Sequence, residues 1–253
     1  MKITKHISFY FVMDRIIYIN NIIDETNKYE HRTDIFIHTN NIDLEEGMLN
    51  NYTNGYIKII YHDLSNIHPF YLTWKCRDLL QEQQHDYDIF IYIEDDMLVP
   101  YKAIKYWLEY NESLIEMSYN VGFVRIEVNN NVEYITDLTI KLRNTINLNE
   151  KLYCINNQNP YCAFWIYNKN EFNKFVNSKY YDINNNSIYG IREASAFGLH
   201  GLDTDWYRNT LIPVINNKLI EECKIYHMPN NYANDSNTQF AKLKFDDVLE
   251  LGV

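Results

Sequence analysis

DIFIYIEDDML, residues Asp88 to Leu98, is an apolar run that ends abruptly on three consecutive carboxylates, Glu94, Asp95 and Asp96. Ile89, Phe90, Ile91, Tyr92 and Ile93 are β-branched or aromatic without a break, which predicts a strand buried on both faces, as in an α/β sheet. Ligands bind at the C-terminal edge of such sheets. Adjacent carboxylates repel one another unless a cation or a donor-rich partner neutralises them, so a divalent-metal site is the economical reading. An acidic polar turn, with Pro100 just downstream, is the competing one. If strand geometry persists through the acids, Glu94 and Asp96 project to one face and Asp95 to the other.

Outward from this strand, β-like and helical patterns alternate. His6 to Met13 reads as a first strand and Arg15 to Tyr29 as a helix, with Ile16, Ile19, Ile22 and Ile23 at helical spacing. Asp34 to His38 and Tyr56 to Tyr61 read as the second and third strands, and Phe70 to Gln84 as a helix whose start is marked by His68-Pro69. The acidic strand is then the fourth. Such alternation implies a mostly parallel sheet with helices on its faces. Downstream, Ala103 to Met117 reads as a helix, Gly122 to Val128 and the aromatic Tyr161 to Tyr167 as strands, and Lys224 to His227 as a last short strand. Helices are expected from about Asn170 and from Ile191 to Gly198; Asn129 to Asn159 is Asn-rich and weakly patterned. With no repeat and no linker, a single domain over 1–253 is expected.

The 253 residues are 46% hydrophobic and 15% aromatic, enough for a sizeable core. A net charge of −11, with no Lys/Arg block to offset it, argues against nonspecific binding to nucleic acid or anionic membrane. An anionic substrate must therefore be met locally, by a metal or a few placed arginines. No apolar run is long enough for a transmembrane helix, and the N-terminus reads as a strand and not as a signal peptide. Cys76, Cys154, Cys162 and Cys223 lack the density of a disulfide scaffold, so free thiols in a reducing compartment are expected. Asn, Ile, Lys and Tyr enrichment with only seven glycines points to an AT-rich genome.

Four segments in order, HPFYLTWKCRDLL at His68 to Leu80, YIEDDM at Tyr92 to Met97, IREASAFGL at Ile191 to Leu199 and IYHMPNNYA at Ile225 to Ala233, resemble GT-A fold nucleotide-sugar-dependent glycosyltransferases, of a group found in bacteria and giant DNA viruses. YIEDDM takes the place of the family's D-x-D-type motif, from which EDD departs. The resemblance implies a nucleotide-sugar-binding half over about 1–128 and an acceptor-binding half over about 129–253. It implies a UDP- or GDP-sugar donor, a hydroxyl acceptor on a glycan, protein or lipid, and Mn2+ or Mg2+ as cofactor. Asp96 would ligate the metal, with Glu94 helping, Asp95 on the ribose, and His227 matching the C-terminal His that completes many such sites. Imidazole tilts the preference toward Mn2+. A soluble intracellular protein is expected, virion-associated if the source is viral.

A sugar nucleotide reacts by losing a nucleoside diphosphate, and a cation stabilises that leaving group as a Lewis acid. Arg77, on the helix before the acidic strand, is in reach of the diphosphate; its ordinary alternative is an exposed helix arginine. Arg15 after the first strand, Thr39 and Asn40 closing the second, and Asp63 after the third are candidates for nucleotide contacts, since strand C-termini converge on one crevice. Inverting transfer needs a base whose pKa burial can tune. Glu193 is the first choice and Asp203 the second. Their alternatives are a carboxylate in a first helical turn and a helix cap. His227 has a structural alternative too, as a hydrogen-bonded residue beside an apolar strand. Phe164 and Trp165 read as core, whereas Trp206 and Tyr207 are placed for an acceptor pocket. Two other functions stay open. One is an inactive sugar- or nucleotide-binding module; the other is a metal-dependent phosphohydrolase, for which Asp14 is available but no D-x-D-x-T motif follows.

Overall fold

The computed structural model describes residues 1–185, 189–200 and 210–251. Along the chain run β1 (Lys2–Phe9), α1 (Ile16–Thr26), β2 (Arg32–Thr39), β3 (Ile57–Tyr61), α2 (Arg77–Glu82), β4 (Ile89–Glu94), β5 (Met97–Leu98) and α3 (Tyr101–Glu116). They are followed by β6 (Asn120–Val121), β7 (Val124–Asn129), β8 (Val132–Ile135), β9 (Thr145–Leu148), β10 (Lys151–Asn156), β11 (Phe164–Asn168), α4 (Lys169–Val176) and α5 (Ile191–Phe197). The last elements are β12 (Thr210–Ile215), β13 (Lys218–Leu219), β14 (Lys224–His227), α6 (Asn231–Asn234) and β15 (Leu243–Lys244). These form two compact units that interleave along the chain: Met1–Leu98 with Ala163–Leu199, and Val99–Cys162 with His200–Val253.

The first unit is built on a sheet of order β11-β4-β1-β2-β3. Strands β1, β2, β3 and β4 are parallel, and β11 closes one edge antiparallel to β4, with Trp165 opposite Tyr92. Both sheet faces are covered, as parallel sheets require. Lys5 reaches from β1 to Thr26 Oγ1 (2.6 Å) and Tyr29 OH (3.0 Å) on the α1 side, while the next residue, His6, points the opposite way to Gln83 beyond α2. The aromatic strand is core, as its composition predicts: Trp165 stacks on Tyr92 and Tyr167, and Phe90 lies on Phe172 at 4.0 Å. α4 begins with a capping box, in which Asn168 accepts from the Glu171 amide and Glu171 accepts from that of Asn168.

The mostly parallel central sheet expected of a Rossmann-like N-terminal half, with a more irregular C-terminal half, lies in this unit, which also draws β11 from the C-terminal half. In the second unit β12 lies between β13 and β10, β9 flanks β10, and β6 pairs with β12 in parallel; a further sheet runs β15-β8-β7-β14. The fold is thus mixed α/β with several sheets. The weakly patterned Asn129 to Asn159 stretch forms strands, because its asparagines are turn residues. Asn130-Asn131, Asn149-Glu150 and, later, Asn216-Asn217 are two-residue hairpin loops with both φ values positive, between 48° and 62°. This is the type I′ geometry that matches strand twist, and asparagine tolerates it. The expected helix from Phe70 to Gln84 is broken in two. A 3-10 helix spans Pro69–Trp74, with the His68 ring accepting the Phe70 amide at 3.2 Å, and α2 begins only at Arg77.

Candidate active site at the end of the fourth strand

All six residues of β4 are buried, and the strand stops at Glu94; Asp95 and Asp96 form the turn that follows. Two backbone bonds anchor that corner, from the Glu94 amide to the Ala163 carbonyl and from the Asp95 amide to the Ser8 carbonyl, both 3.1 Å. The acids are not a solvated turn. Glu94, Asp95 and Asp96 are 3%, 5% and 8% exposed. Because the pleat ends at Glu94, the expected alternation is replaced. Arg15 bridges Asp95 Oδ1 (3.0 Å) and Asp96 Oδ2 (2.6 Å), whereas Glu94 pairs with Arg192. Asp95 and Asp96 therefore share a partner, and Glu94 takes a different one.

Asp95 Oδ2 is buried with no hydrogen-bond partner. Burial, and then the neighbouring Asp96 charge, push the Asp95 carboxyl well above the usual range, with Arg15 opposing. Arg192 is positioned by α5, which is tied down at several points. Trp74 donates to the Ile191 carbonyl at 2.8 Å, Ser195 donates to the Thr73 carbonyl at 2.9 Å, and the Ser195 carbonyl accepts from Trp165 and Arg77 at 3.2 Å each. The IREASAFGL segment thus brings Arg192, and not Glu193, to the acids. Glu193 is exposed, with its carboxylate folded so closely over Gly190 that a Cβ there has no room. That is the first-turn position favoured by the helix dipole. A base tuned by burial is not what Glu193 offers.

Arg77 is neither exposed nor at the strand ends. It is 5% exposed, its guanidinium lies over the rings of Trp74, Phe175 and Tyr181, and it donates to the Ser195 carbonyl. Aromatic faces replace a carboxylate as its surroundings. Thr39 is buried at the end of β2, its hydroxyl accepting from the Asn41 amide, and Asn40 Oδ1 accepts the Phe11 amide at 2.8 Å, pinning the loop after β1 to the end of β2. Asp63 is exposed, with its carboxyl lowered by the Ser65 amide it accepts. His227 belongs to the second unit, where its Nδ1 meets Glu127 Oε1 at 2.5 Å while Glu127 Oε2 accepts the Ala233 amide. Asp203, Trp206 and Tyr207 lie outside the described residues.

Three features escaped sequence reading. Arg192 sits beside the residue singled out, and its signal is the need of three buried acids for cations. Glu127 lies at a strand position 100 residues from His227. The third is a chain of imidazoles: His6 Nδ1 meets His38 Nε2 at 2.9 Å, and His38 Nδ1 meets His62 Nε2 at 2.8 Å. Gln83 Oε1 can only accept, so His6 carries its proton on Nε2, and the same tautomer follows for His38 and His62. His62 borders a cleft of roughly 470 Å³ lined also by Lys58, Lys75, Asp78 and Glu82.

Among the described residues, no group of three or more His, Cys, Asp and Glu side chains is arranged to hold a metal ion. The acids at the end of β4 are turned onto guanidiniums instead. No protein-family model matches the chain, and a search of curated proteins finds no relative.

Proposed function

We propose that the chain is a metal-dependent glycosyltransferase of the GT-A type, moving a sugar from a nucleoside-diphosphate sugar to a hydroxyl acceptor. The observation that carries this reading is the burial of three consecutive carboxylates at the C-terminal end of a parallel strand, one of them with an oxygen that has no partner. A purely structural turn has no reason to bury three like charges. Hard carboxylate oxygens suit Mn2+ or Mg2+. In this reading Asp95 and Asp96 hold the cation, which supplies Lewis-acid stabilisation of the departing diphosphate. Arg15 meets the diphosphate, and Asn40 holds the loop that carries the site from β1.

The test is thermal stabilisation by a panel of UDP- and GDP-sugars, with and without Mn2+, followed by donor turnover. Metal-dependent stabilisation by one nucleotide class is expected. No nucleotide effect under any condition would reject the transferase. Asp96→Ala should abolish metal-dependent nucleotide binding while the far-UV circular dichroism stays unchanged.

A further inference from the structure

The acids and their partners differ sharply in freedom. Side chains of Glu94, Asp95 and Asp96 are 4%, 8% and 11% exposed, whereas those of Arg15 and Arg192 are 31% and 38% exposed. The acids are fixed by the buried strand end. The arginines reach them from outside, Arg15 from a single 3-10 turn (Met13–Arg15) and Arg192 from the first turn of α5, over the Phe70 ring at 5.3 Å. Among the described residues Arg15 and Arg192 face the three carboxylates, and Asp95 Oδ2 has no hydrogen-bond partner.

A divalent cation on Asp95 and Asp96 repels the guanidinium that Arg15 lays on Asp95 Oδ1 and Asp96 Oδ2, so the two cations compete for these carboxylates even through different oxygens. Were a cation to take Asp95 and Asp96, Arg15 would leave them, yet it would stay tethered within a side-chain length of the cation. There, a planar fork of donors is suited to a phosphate. We propose that Arg15 and Arg192 are exchangeable counter-ions: they neutralise the acids without the cation, and turn onto the diphosphate of the nucleotide when cation and nucleotide bind together. This rests on the transferase reading and adds to it an order of events. It also makes Arg192 a donor-binding residue.

The inference has a signature that an ordinary binding residue lacks. Removing a competing counter-ion strengthens binding of the metal alone, whereas removing a phosphate ligand weakens binding of metal with nucleotide. Arg15→Gln and, separately, Arg192→Gln should bind Mn2+ alone about tenfold more tightly than the unaltered chain, and Mn2+ with UDP or GDP about tenfold more weakly, as direct contacts couple on that scale. Calorimetry and the electron paramagnetic resonance of free Mn2+ read both affinities without turnover. Both variants should unfold at lower temperature without metal and recover with Mn2+. Arg15→Lys, which keeps the charge but not the fork, should leave the Mn2+ affinity near that of the unaltered chain. If the two affinities fall together, or neither moves, the counter-ion exchange is wrong while the transferase reading stands. If the unaltered chain binds neither Mn2+ nor Mn2+ with nucleotide, both fail. Either arginine variant suffices if the other does not fold.

Discussion

At the scale of single residues, Asp95 concentrates the tension in the first unit. It is buried beside Asp96, shares one guanidinium with it, and leaves an oxygen unsatisfied. A carboxyl raised by burial and a like neighbour is one whose ionised form the fold disfavours, so neutralising it relieves the fold. Asp95→Asn should therefore raise the unfolding free energy by about 1 kcal/mol and remove Mn2+ binding, the usual exchange of function for stability. Chemical denaturation and Mn2+ titration of the same preparation check this. A destabilised variant that still binds Mn2+ would contradict it. Arg77 is a second buried charge, a guanidinium over three aromatic faces that donates to one carbonyl while its Nε and Nη1 have no hydrogen-bond partner, and nothing in its HPFYLTWKCRDLL context distinguishes it from a ligand.

At the scale of elements, the hairpins and the imidazole chain each carry a prediction. Glu150 sits in the β9–β10 loop at φ 62°, in the left-handed region that costs an ordinary L-residue about 1 kcal/mol. Glycine has no such penalty, and Glu150→Gly should stabilise by roughly 0.5–1 kcal/mol by urea denaturation. The histidine chain ties β1 and β2 to the residue after β3. Burial lowers His6 to about 3; burial, then the neighbouring His6 and His62, hold His38 well below its ordinary value. Burial and then Lys75 lower His62, against the pull of Asp78, with Lys58 and Glu82 on the same cleft. The unfolded chain takes up protons on His6 and His38 near pH 6.5 and the folded chain does not, while half-buried His62 contributes in the same direction. Stability is therefore complete above about pH 7 and falls as the pH drops below 6.5, by about 1.4 kcal/mol per pH unit for each proton. Urea midpoints between pH 7.5 and 5 should show this fall, and His62→Asn should reduce it by less than one proton. A flat profile would mean that the chain is not neutral in the fold.

At the scale of the whole molecule, the two units are not successive segments. The first sheet draws β11, and its covering helices α4 and α5, from Ala163–Leu199, beyond an excursion through Val99–Cys162. A fragment 1–128 would leave β4 as an open edge and strip Phe90 and Tyr92 of Phe172 and Trp165. It should be insoluble, or lack a cooperative unfolding transition, when expressed alone. A soluble, cooperatively unfolding fragment would show that β11 is dispensable. Among the described residues no helix is long and apolar enough to cross a membrane.

Most of the first unit was legible because its signals are local. Runs of β-branched residues such as Ile89 to Ile93 specify a buried strand, and isoleucines at helical spacing specify α1, within one or two turns of chain. The hairpins of the second unit were hidden by the asparagines that build them, since Asn enrichment resembles irregular chain until its φ values are known. The carboxylate cluster was likewise readable as a cluster. Which acid meets which partner was not, because strand alternation holds only while the strand lasts and β4 stops at Glu94. By itself the sequence determined an α/β unit with three acids at a strand end. Only the tertiary structure decided that the acids are buried, that Arg15 and Arg192 face them, and that Arg77 and Glu193 are turned elsewhere. Side-chain pairing between residues 80 to 100 positions apart depends on packing of whole elements, and no local pattern encodes it.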